Sequence, residues 1–112
     1  MRFAESIGGL TGERRLHFYE VLAHNLTDAI RGIWSNSGVG DAEKVERMKW
    51  VNEVMHRVTA KVYVLRLNTH EWTETDFEDM LLGYIQSHPG IASDIGWAVR
   101  SSYRTVTGEE MG

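Results

Sequence analysis

From Leu16 onward the apolar positions return at alternating steps of three and four: Leu16, Tyr19, Ala23, Leu26, Ile30 and Ile33. That rhythm lays one stripe along a helix and predicts a helix over about 12–35. Phe18, Leu22 and Ala29 widen the stripe on one side, and Trp34 borders it on the other. Thr11 stands at the N-cap position, with Glu13 in the first turn to complement the helix dipole. Residues 35–40, rich in serine and glycine, read as a loop. Asp41 is expected to cap a second helix, whose apolar arc is Val45, Met48, Val51, Met55, Val58 and Val62. The stretch from Val62 to Leu67 is β-branched and apolar enough for a strand. Helix is the expectation there, because no second strand of similar quality exists to pair with it.

Residues 68–71 read as a connector, and then Thr73 starts a third helix as its N-cap. Asp76 stands three residues on, and Trp72 and Phe77 occupy the two staple positions. Phe77, Met80, Leu81 and Tyr84 form the apolar side of this helix, which ends near Ser87, where His88-Pro89-Gly90 breaks it. A fourth helix over about 91–104 presents Ile91, Ile95, Ala98 and Val99. The ends, about 1–10 and 105–112, read as short flexible termini. The fold class is therefore all-α: a small antiparallel bundle of about four helices, built on a long helical hairpin and forming a single domain over 1–112. The last two helices are shorter than the first two, so part of the hairpin's apolar surface stays uncovered. A homodimer is the expected remedy.

Charge and composition narrow the function. A length of 112 residues suits one domain. The formal net charge of -4 argues against a nucleic-acid partner, which selects a basic field. Cysteine is absent, so there is no disulfide framework, thiolate metal site or cysteine nucleophile. No apolar run approaches the roughly 18 residues of a membrane span, and no signal-like segment is seen. The expected setting is cytoplasmic.

Chemistry is sparse. On the first helix Glu20 lies just outside the apolar arc, with His24 and His17 further out. On the second, Asn52 falls inside the arc, His56 on its border and Glu53 on the polar side. A hairpin turning at Gly38 sets Glu20 level with His56, and His24 level with Asn52 and Glu53. Glu53 and His56 have the Glu-x-x-His spacing that di-iron bundles use, and imidazole with carboxylate suits zinc, iron or manganese. A di-iron site needs that spacing twice, and here it occurs once. The competing reading is a structural hydrogen bond between Glu20 and His56, with Asn52 fixing the register. Between Glu71 and Asp79 an acidic run complements the third helix's N-terminus.

Trp50 and Trp97 fall off the apolar arcs of their helices, and each needs either a covering element or a partner. Arg47, Lys49 and Arg57 lie near Trp50 along the second helix. No nucleotide-binding or hydrolase motif is present. The first reading is a non-enzymatic binding or regulatory protein without cofactor. It acts through protein–protein contacts at Trp50 and Trp97, with itself and with another protein. The alternative is a metal-dependent enzyme that holds zinc, iron or manganese on Glu20, His24, Glu53 and His56.

Overall fold

In the computed structural model the described residues are 3–67 and 73–111. The two long apolar stripes form helices α2 (Gly12–Ser35) and α3 (Asp41–Arg66), which pack against each other as a hairpin. Before them comes a short helix α1 (Phe3–Gly8); after them come α4 (Glu74–Ser87) and α5 (Ala92–Thr107). A single 3-10 turn, Pro89–Ile91, joins the last two. Helix α5 packs along α2, and α1 along α4. Among the described residues there is no strand, and the β-branched run after Ala60 continues α3 as helix. No helix of the described residues is long and apolar enough to cross a membrane.

The N-terminal segment departs from the expectation of a loose end. Phe3 and Ile7 are both fully buried. Their spacing of four puts them on one face of α1, and that face completes an aromatic cluster. The Phe3 ring stacks on Phe77 at 5.5 Å and meets the edges of Phe18 and Tyr19 at 5.8 and 6.3 Å. The Ala4 amide, at the start of α1 where helix N–H groups lack helical partners, donates to Glu78 on α4 at 3.0 Å. At the other end α5 runs on to Thr107, where Gly108 stops it with a left-handed φ of 74°. Val106 and Met111 rest against the core there, so this terminus too is held more closely than expected.

Helix starts follow local chemistry. Thr73 and Asp76 form a reciprocal capping box: the Asp76 amide donates to Thr73 Oγ1 at 3.1 Å, and the Thr73 amide to Asp76 Oδ2 at 3.2 Å. Trp72 and the connector at 68–71 lie outside the described residues. Thr73→Ala removes the Oγ1 half of the box and is expected to cost about 1 kcal/mol. Thermal unfolding followed by circular dichroism checks this. Gly40, rather than Asp41, is the N-cap of α3, so Asp41 acts on the helix dipole from the first turn.

The hairpin register also differs from a symmetric turn at Gly38. Thr27 meets Met55, where the sequence register places Lys49. Glu20 meets Arg66, where it places His56. The first turns of α3 therefore overhang the end of α2. Val45, on the expected arc, is 59% exposed for that reason, and Trp34 at the end of α2 is 67% exposed. The buried side of α3 is Val51, Val54, Val58, Lys61 and Val62, while Asn52 is exposed.

Candidate functional site

The displaced register takes apart the carboxylate–histidine layer. Glu20 accepts from the Arg66 guanidinium on α3, at the surface. His24 stands 3.7 Å from Asp28, one turn along its own helix, and is exposed. Glu53 and His56 are exposed on α3. Four residues that a symmetric hairpin would gather are thus dispersed. Among the described residues, no three histidine, aspartate or glutamate side chains converge to hold a metal ion. The Glu20–His56 hydrogen bond is likewise replaced by the Glu20–Arg66 ion pair.

A different polar cluster occupies the interior. Lys61 falls on the buried arc of α3 with Val58 and Val62, and only 2% of its side chain is exposed. Its Nζ lies 3.6 Å from Glu74 Oε1 at the start of α4, and 5.6 Å above the ring of Tyr19 on α2. Arg15 approaches the same carboxylate oxygen at 3.6 Å through Nε. The guanidinium also reaches back to α1, donating to the carbonyls of Gly8 at 3.2 Å and Leu10 at 3.3 Å. One carboxylate thus connects α2, α3 and α4, and Arg15 adds α1. The Tyr19 hydroxyl, Arg15 Nε and Glu74 Oε1 are all buried in this cluster.

Burial sets the electrostatics. Desolvation lowers the pKa of Lys61, and Arg15 adds to that; Glu74 and Asp76 oppose it by favouring the charged amine. The phenol of Tyr19 is pushed up, first by burial and then by the Glu74 carboxylate. A lysine that loses its proton more easily has nucleophilic character. Here, however, the amine is enclosed, so the cluster serves as a latch between helices. Apolar periodicity alone passes over a lysine, so Lys61 is absent from the expected arc. The available signal was its place three residues after Val58, on the arc itself.

The two off-arc tryptophans have different surroundings. Trp50 is half-buried, its N–H donating to Glu46 at 3.1 Å and its ring stacked on His88 at 3.7 Å and 16°. Tyr84 lies 6.2 Å away. Trp50 therefore finds its covering element inside the chain. Trp97 on α5 is 45% exposed and lines a groove of about 280 Å³ with Ala29, Gly32 and Ile33 of α2. Arg47 and Asp94 border the same groove. The Arg47 guanidinium donates to the Gly90 carbonyl at 3.0 Å and sits 3.5 Å from Asp94. Burial raises the pKa of Asp94, and Arg47 offsets part of the shift. This groove lies where α3 overhangs α2, at the closed end of the hairpin. No protein-family model, curated protein or solved structure matches the chain, so its function is argued from these side chains.

Proposed function

We propose that this is a small helical binding or regulatory protein that acts through protein–protein contacts and pairs with a second copy of itself. The observation that carries the reading is the closed end of the hairpin. Trp34, Val45 and Trp97, all large and apolar, are exposed there by 67%, 59% and 45%. Beside them runs a groove with an apolar wall and an ion pair at its edge. Exposed tryptophan next to a groove, with arginine at the border, is the composition of an interaction hot spot. Burying such surface releases ordered water and favours association. Trp97 is the contact residue in this reading. Trp50, engaged with His88 and Tyr84, contributes less.

Sedimentation velocity over a range of protein concentrations tests the proposal. A reversible dimer is expected for the parent chain. Trp97→Ala should weaken it by about 2 kcal/mol, roughly thirtyfold in Kd. The indole is half in solvent, so the variant should keep its fold. A parent chain that sediments as a monomer at every concentration defeats the homodimer reading. A dimer indifferent to Trp97→Ala and Trp34→Ala places the contact elsewhere.

A further inference from the structure

The short helix α1 sits in a socket built by two other helices. Its Phe3 ring fits against Phe18 and Tyr19 of α2 and Phe77 of α4. Ile7, one turn on, is buried in the same core. The socket also matches the polarity of a helix. At the first turn of α1, Glu78 accepts from the Ala4 amide at 3.0 Å. At the other end, Arg15 donates to the carbonyls of Gly8 and Leu10 at 3.2 and 3.3 Å. A carboxylate at the amide end and a guanidinium at the carbonyl end is the order that the helix dipole favours. Two apolar anchors four residues apart, set between those charges, are the contacts of a helix held in a groove.

The joint to α2 has a different character. Gly9, Leu10 and Thr11 connect the helices, and Gly8 closes α1. A Cβ at Gly8 would meet nothing within 4 Å, and one at Gly9 would make ordinary contacts at 3.7 and 3.8 Å. Neither glycine has a positive φ. Neither space nor backbone shape requires glycine there, so what the pair supplies is a pliable joint. A six-residue helix on such a joint has no stability off its socket, and it undocks as a unit. The segment whose fit to the socket is already established is α1 itself, and every second copy carries one. We propose that α1 is exchanged between two copies, Phe3 and Ile7 of each filling the socket between α2 and α4 of the other. The contacts made between copies are those made within one, so the two states differ mainly in the joint and in the entropy of association. The joint decides between them. Bent, it brings the Phe3 and Phe18 rings to 5.8 Å within one chain. Continued as helix, it would hold the two residues about 22 Å apart along the axis, and α1 reaches only a second copy. The exchange uses no residue of the Trp97 groove and stands without that contact.

The test alters the joint and leaves both contact surfaces intact. Gly8→Ala with Gly9→Ala favours the continuous helix, by about fivefold per residue. A glycine–serine insertion after Gly9 favours the bend. Each chain is incubated at high concentration, diluted and followed by sedimentation velocity. A slowly dissociating dimer is expected, most abundant in the alanine variant, less so in the parent and least in the insertion variant. The alanine variant should have a Kd at least about tenfold below the parent's. In a dimer mixed from isotope-labelled and unlabelled alanine variant, filtered nuclear Overhauser contacts should join Phe3 of one copy to Phe77 of the other. Persistence of that dimer on Trp97→Ala supports exchange. Three results overturn it. One is equal self-association of the three joints. Another is Phe3–Phe77 contacts confined to one copy. The third is loss of the alanine variant's dimer on Trp97→Ala, which assigns that dimer to the groove.

Discussion

Phe3→Ala is expected to destabilise the protein by about 4 kcal/mol, the cost of deleting a fully buried aromatic side chain and leaving a cavity. Phe3 touches three other rings, Phe18, Tyr19 and Phe77, which belong to α2 and α4. Removing it leaves each of those rings with a missing neighbour and takes from α1 its main reason to dock. Ile7, four residues on, is then the one buried apolar residue left on the short helix. A helix of six residues has little stability of its own, so it forms only while packed. The loss should therefore appear both as a lower urea midpoint and as a fall in Tm of more than about 10 °C. A change below about 1 kcal/mol would mean that α1 contributes little to the native state.

Glu74→Gln should cost about 3 kcal/mol, because the change removes the carboxylate that compensates Lys61 and Arg15 in the interior. Replacing the amine instead is expected to be far milder. Lys61→Met keeps an unbranched chain on the buried arc and leaves Glu74 paired with Arg15, so a cost within about 1 kcal/mol is expected. That contrast identifies the cluster as a charge network rather than simple packing.

Its pH dependence has a defined sign. Burial lowers the Lys61 pKa in the folded chain below the unfolded value of about 10.4. Between the two values the unfolded chain holds a proton that the folded chain has released, so stability rises with pH. Below the folded value both states are charged and the slope vanishes. Tyr19 behaves oppositely. Its pKa is raised, so above about pH 10 the unfolded phenol ionises while the folded one stays neutral, and stability falls. Urea midpoints from neutral pH to about 11 should show both limbs. Lys61→Met should flatten the rising limb, and Tyr19→Phe the falling one. Retention of the rising limb in Lys61→Met would assign it to another group.

The sequence by itself determined the four longer helices and the side that α2 buries. The three–four rhythm from Leu16 to Ile33 survives as the buried or half-buried face of α2, because helical periodicity is a local property. The Thr73–Asp76 box is legible for the same reason: both halves lie within one turn. Short amphipathic pieces were not legible. Phe3 and Ile7 are only two apolar positions, and nothing local says that Phe18, Tyr19 and Phe77 await them.

Tertiary structure alone decided which side chains meet. The offset between α2 and α3 is set by how the loop at 36–40 leads into α3 and by how the two faces interlock. Periodicity carries no information on either. A shift along the hairpin is enough to give Glu20 to Arg66, to leave His56 in water and to expose Val45. The Lys61–Glu74 pair joins helices separated by a connector, and the Trp50–His88 stack joins α3 to the break after α4. Such contacts depend on the docking of whole helices. The spacing of residues along one helix fixes which way each points, and only the packed bundle fixes what it finds there.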